Sequence, residues 1–119
     1  MAKKVGFILN KAPLESPGAR TLYHLAVGSL GRGHEVWAYA HQEGVYQLLR
    51  NQHLPDSEEG SPSSWWQALL ARGVRVVCNE LCARSRGVDG KESMLEGVTM
   101  GNPADLAQLL EHTDQVLCL

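Results

Sequence analysis

The residues of this chain with the widest chemical range are its three cysteines, Cys78, Cys82 and Cys118, and its five histidines. Cys78 closes a valine-rich run and stands just before a stretch that reads as a helix start, where unpaired backbone N–H groups favour a thiolate. Cys82 follows four residues later. If the residues between are helical, about 6 Å of axial rise separates the two, within disulfide range, so a transient bridge is open to the pair. Arg84 and Arg86 lie in the next turns and would add positive potential near a thiolate. His41 falls in another expected strand-end loop, where it either approaches the thiol or stays solvated. The plainer account makes Cys78 a small apolar strand-end residue and Cys82 a filler; position and company argue against it. Cys118, between Leu117 and Leu119, is expected to be a buried structural thiol. The histidines at 24, 34, 41, 53 and 112 form no HExxH or Cys-x2-Cys pattern, and no metal site is expected.

Those thiols must be held by the surrounding elements. Val5–Leu9 reads as a buried strand and Asn10–Pro17 as the loop after it. From Gly18 the apolar residues Ala19, Leu22, Tyr23, Ala26, Val27 and Leu30 recur at spacings of three and four until Gly31 and Gly33. Glu35–Ala40 alternates like a second strand, and a β-α-β unit this short implies parallel pairing. A short helix is expected over Glu43–Asn51, then a polar loop over Pro55–Ser64. A helix capped by Ser63 or Ser64 follows, with Trp65, Trp66, Leu69 and Leu70 on its inner face. Trp65 and Trp66 are adjacent and cannot share one helical face, which leaves one of them for a subunit contact. Val74–Cys78 is the clearest later strand, followed by a short helix over Glu80–Arg86. A weak strand at Gly97–Met100, a helix from Pro103 and a strand at Gln115–Leu119 complete the chain. The class is therefore α/β, three layers in the order α/β/α, with a mainly parallel sheet of about five strands. In such sheets ligands and reacting groups gather beyond the carboxyl ends of the strands. That rule selects Asn10–Pro17, His41–Tyr46 and Cys78–Gly87.

Composition narrows the function classes. The chain has 119 residues, 44% hydrophobic and 20% charged, which suits one domain spanning 1–119. A formal charge of −2 offers no uniform positive field for a phosphate backbone, so direct nucleic-acid binding is not expected. No apolar run has the length of a membrane span, and the start Met1-Ala2-Lys3-Lys4 lacks a signal-peptide plan, so a cytoplasmic address follows by default. Gly28-x-x-Gly31-x-Gly33 stands at a helix end and is no dinucleotide fingerprint. Asp56, Glu58 and Glu59 read as a solvated loop that can select a partner.

Glu43-Gly44-Val45-Tyr46, Trp66-Gln67-x-Leu69, Arg72-Gly73-Val74, the strand ending in Cys78, Arg86-Gly87-Val88 and Leu95-Glu96-Gly97-Val98-Thr99-Met100-Gly101 occur in one order along the chain. In that order they resemble the DsrE/DsrF family, which takes in TusD-like sulfur relay proteins. The resemblance implies a sulfurtransferase-like carrier in which a cysteine accepts sulfur as a persulfide and hands it to a partner protein's cysteine. Cys78 matches the position after the corresponding strand, one residue farther from Arg86-Gly87 than in the family pattern. Cys82 matches the spacing of the second cysteine found in some relatives. Such chemistry needs no metal and no organic cofactor. Its partners would be sulfur donor and acceptor proteins, and copies or paralogues of the chain with which it assembles. The rival readings are a non-catalytic α/β assembly subunit and a Cys78/Cys82 redox switch.

Overall fold

The computed structural model describes residues 2–13, 18–51, 60–88 and 90–119. Asp56, Glu58, Glu59 and His53, together with parts of the two expected loops, lie outside them. The elements run β1 (Lys4–Leu9), α1 (Gly18–Gly31), β2 (Glu35–Ala40), a 3-10 segment (Gln42–Leu48), α2 (Pro62–Ala71), β3 (Arg75–Asn79), α3 (Glu80–Ser85), β4 (Thr99–Gly101), α4 (Pro103–His112) and β5 (Gln115–Cys118). A second 3-10 turn, Lys91–Ser93, precedes β4.

The five strands are parallel, in the order β4-β3-β2-β1-β5. Period-two alternation sorts their side chains between the two faces. Val5, Phe7 and Leu9 of β1, Val36, Ala38 and Ala40 of β2, and Val76 and Cys78 of β3 enter the larger core with Leu22 and Ala26 of α1 and Trp66 and Leu69 of α2. The opposite face is covered by α4, whose Leu106 and Leu109 pack on Trp37, Tyr39 and Val77. Helices on both sides of a parallel sheet give the three-layer α/β/α architecture that the alternating pattern implies.

Local chemistry sets the boundaries and corrects four expectations. Helix α2 is capped by Ser61, not by Ser63 or Ser64. Pro62 occupies the first helical turn, where its missing N–H costs nothing, so the cap must precede it. Ser61 Oγ accepts the Ser64 N–H at 3.3 Å, and Ser64 Oγ accepts the Ser61 N–H at 2.9 Å. Both tryptophans are buried, so neither is left for a subunit contact. Trp66 enters the core and donates its indole N–H to Gln47 Oε1 at 3.0 Å, whereas Trp65 stacks on Tyr23 with centroids 5.5 Å apart.

The short helix expected over Glu43–Asn51 forms as a 3-10 helix over Gln42–Leu48 and ends three residues early. Gly44 passes so close to β1 that a β-carbon there would lie 1.9 Å from the Leu9 carbonyl oxygen, which already takes the His41 N–H at 3.0 Å. The fourth correction is Cys118, which is exposed. It shares the α4 face of the sheet with its register partner Ile8, but β5 is an edge strand and α4 packs chiefly on β2 and β1.

Candidate functional site

The register aligns Leu9, Ala40, Cys78 and Met100 across the sheet, so the carboxyl ends of four strands finish near one level. The candidate site lies there, at the corner where β3 turns into α3. Asn79 ends the strand and caps the helix. Its side-chain oxygen accepts the Cys82 N–H at 2.9 Å, and its amide nitrogen donates to the Tyr39 hydroxyl at 2.9 Å. Asn is a favoured N-cap because its short side chain reaches the orphan donors of the first turn.

The two cysteines on either side of this cap differ sharply. Cys78 is wholly buried in the larger core, and its thiol makes a weak contact with the Asn79 carbonyl oxygen at 3.8 Å. Burial, and secondarily the neighbouring Cys82, push its pKa up to about 12. The lowered pKa expected of Cys78 is thus contradicted, because strand alternation turns its side chain into apolar packing. Cys82, the third residue of α3, is partly buried and packs against the edge of the cluster that contains Cys78. Its backbone is held at both ends: Asn79 takes its N–H, and its carbonyl oxygen accepts from Ser85 Oγ at 3.1 Å and from the Arg86 guanidinium at 3.2 Å.

The supporting residues divide in the same way. Arg86 comes to the site. Its Nε and Nη2 each lie 2.9 Å from Glu43 Oε1, and its carbonyl oxygen accepts from the Tyr46 hydroxyl at 3.4 Å. The Glu43–Tyr46 stretch and the Arg86–Gly87 pair, 40 residues apart in sequence, therefore form one interaction that ties the segment after β2 to α3. Gly87 follows with φ +78°, the left-handed conformation that ends α3. Arg84 points elsewhere: it pairs with Glu80 one turn back, both well exposed, so its charge is matched on the outer side of α3. His41 lies against Tyr39, ring centroids 6.1 Å apart, and burial lowers its pKa, which favours the neutral imidazole.

An open cleft of about 230 Å³ runs beside the corner, lined by Asn79, Glu80, Leu81, Arg84, Gly101, Asn102 and Pro103. Leu81 stands 75% exposed next to Cys82. Among the described residues no three His, Cys, Asp or Glu side chains group to hold a metal ion, and no helix is long and apolar enough to cross a membrane.

The family model described as DsrE/DsrF-like family matches residues 3–119. The chain belongs to that family. Its fold is that of the ychN protein from E. coli, at a TM-score of 0.87 and 24% identity over 100% of both chains. A protein of unknown function from Methanobacterium thermoautotrophicum, MTH1491, matches at 0.71 and 22%, over 98% of this chain and 99% of that one. BT1422 from Bacteroides thetaiotaomicron, also of unknown function, matches at 0.67 and 14%, over 98% and 95%. No curated protein sequence matches.

Three residues of the site were not singled out from the sequence as site residues: Asn79, Tyr39 and Glu43. Asn79 carried a readable signal, a capping residue between a strand and a helix. Tyr39 did not, because its partner lies 40 residues away; Glu43 fell within the selected stretch His41–Tyr46, but its pairing with a residue 43 positions away had no local signal.

Proposed function

We propose that this DsrE/DsrF-like protein is a cytoplasmic sulfur carrier whose persulfide forms at the β3–α3 corner, with Cys82 as the thiol that receives sulfur. Family membership is consistent with sulfur relay, and one observation supports Cys82 over Cys78. Cys82 is partly exposed at the strand ends, whereas Cys78 is wholly buried and held neutral. Sulfur transfer needs a thiolate that another macromolecule can reach. In the step proposed, the Cys82 thiolate attacks the outer sulfur of a donor protein's persulfide. A new S–S bond forms on Cys82, the donor's S–S bond breaks, and the donor leaves as a thiolate; the proton on the transferred sulfur travels with it. Transfer onward repeats the exchange with the acceptor's cysteine as attacking group. Neither a metal nor an organic cofactor takes part.

The partners proposed are sulfur donor and acceptor proteins, and further copies or paralogues of the chain. Exposed apolar side chains support such contacts: Leu81 beside Cys82, and Leu110, Val116 and Leu119 around α4 and β5. The same exposed residues favour the second reading, a non-catalytic assembly subunit.

Incubation with a cysteine desulfurase, cysteine and its relay proteins separates these readings. The wild type is expected to gain the mass of one sulfur atom on the Cys82 peptide, removable by reductant. Cys82→Ser should lose the label; Cys78→Ser and Cys118→Ser should keep it. Label on the Cys78 peptide would return the acceptor role to that residue, through opening of the corner. A folded wild type that never carries sulfur would leave the assembly subunit.

A further inference from the structure

Asn79 is buried, and both atoms of its side-chain amide are engaged, the oxygen by the Cys82 N–H and the nitrogen by the Tyr39 hydroxyl, each at 2.9 Å. The two bonds are not independent. An amide presents an acceptor on one side and a donor on the other, so holding the nitrogen fixes where the oxygen points. Tyr39 is itself packed in place, 1% exposed beneath α4 on the opposite face of the sheet from Cys78. Burial raises its pKa, which keeps the hydroxyl protonated.

We infer that Tyr39 is a positioning residue for the Cys82 thiol, acting through Asn79: the hydroxyl orients the amide, the amide fixes the Cys82 N–H, and the first turn of α3 presents the sulfur in one place. The inference deepens the carrier reading and rests on it for its functional consequence. It also accounts for a polar pair buried beside an otherwise apolar cluster. An N-cap needs only an acceptor, and serine would supply one from a more exposed position. The second bond, to a tyrosine on another strand, ties the reactive turn to the rigid interior of the sheet. Orientation matters for transfer between two proteins, since a displacement near 1 Å costs up to about a hundredfold in rate.

The test compares the wild type with Tyr39→Phe, which removes only the hydroxyl, and Asn79→Ser, which keeps a capping oxygen but cannot reach Tyr39. Asn79→Asp serves as the conservative rescue, because its carboxylate accepts from both partners. Amide hydrogen exchange at Cys82 is read against a core amide such as Phe7, with sulfur loading from the desulfurase and alkylation of Cys82 by a bulky maleimide alongside. Tyr39→Phe and Asn79→Ser are each expected to speed Cys82 exchange about fivefold relative to Phe7, as losing one buried hydrogen bond implies. Loading should slow by about tenfold, the order expected when a reacting group is no longer held in place. Asn79→Asp should keep exchange protection near wild type.

Exchange unchanged within about twofold in either variant overturns the inference. So does an equal rise at Cys82 and Phe7, which marks general destabilisation, or a rise at Cys82 with unaltered maleimide and loading rates. If Tyr39→Phe fails to fold, Asn79→Ser decides alone. If the wild type takes no sulfur at all, the carrier reading fails, and exchange with maleimide rate still decides whether Tyr39 positions the thiol.

Discussion

Strands β3 and β5 each end in an apolar run carrying a cysteine near its close, and the structure treats them in opposite ways. Cys78 on β3 is wholly buried and its pKa is pushed up to about 12, whereas Cys118 on β5 is exposed. Sheet order makes the difference. β3 pairs with β2 and β4 and turns Cys78 toward the face covered by α2, α3 and the 3-10 segment. β5 pairs only with β1 and turns Cys118 toward the face that α4 covers only in part. Burial of a strand residue is thus decided by which strands flank it and which helix crosses it, neither of which a five-residue window contains.

The largest expected effect compares the two thiols directly. At pH 8 a group with a pKa near 12 is about one ten-thousandth thiolate, and the native fold also excludes reagent from it. Mass-resolved alkylation of the native protein should therefore modify Cys118 and Cys82 while leaving Cys78 intact, with a rate gap of about a thousandfold or more that closes in denaturant. Labelling of Cys78 at a rate near that of Cys118 would break the comparison.

Cover over the β3 end depends on the seating of the 3-10 segment, which Gly44 permits. A β-carbon at Gly44 would sit 1.9 Å from the Leu9 carbonyl oxygen, a clash with backbone that only movement of the segment relieves. Gly44→Ala is expected to cost about 3 kcal/mol or more in urea unfolding, within the range of severe steric substitutions. Native alkylation of Cys78 should rise with it. A loss under about 1 kcal/mol would show that the segment does not set the cover.

The raised pKa of Cys78 gives a third contrast, read in pH. An acid whose pKa is higher folded than unfolded holds its proton longer in the native state, so the unfolded state loses protons first as pH rises. Stability should be flat on this account below the ordinary thiol pKa of 9.0 and fall above it, toward the folded value near 12. The slope is about 1 kcal/mol per pH unit. Cys78→Ala should remove that slope and Cys118→Ala should leave it, as measured by urea unfolding between pH 8 and about 10.5.

How much of this was legible in sequence follows from range. Periodicity located the strands and helices, because each pattern lies within one element: Val5, Phe7 and Leu9 alternate, and Leu22 and Ala26 sit one turn apart. Alternating element types implied the parallel sheet. The corner was legible as an address, since Cys78 closes a valine strand and a short helix is expected from Glu80. What escaped depends on distant partners. Cys78 looked like a helix-start thiol because the chain places it there, but its side-chain direction follows from the strand's phase against a core assembled from six other elements. Cys118 looked buried from Leu117 and Leu119, although edge position decided otherwise. Tyr39–Asn79 and Glu43–Arg86 join residues 40 and 43 positions apart, and no local pattern announces them.

The smallest effect tests the exposed side of the comparison. Replacing sulfur by oxygen at Cys118 changes a group already in water on an edge strand, so no buried polar atom is created and no core contact is lost. Cys118→Ser is therefore expected to shift stability by less than about 0.5 kcal/mol, as surface substitutions do. The same change at Cys78 buries a hydroxyl among apolar side chains and should cost about 1–3 kcal/mol. Urea unfolding of the two single variants and the double variant reads both numbers, and the losses should add, since the residues stand on different strands and opposite faces of the sheet. A Cys118→Ser loss as large as that of Cys78→Ser would mean that β5 is covered in solution. Where a second molecule supplies that cover, the unfolding midpoint rises with protein concentration.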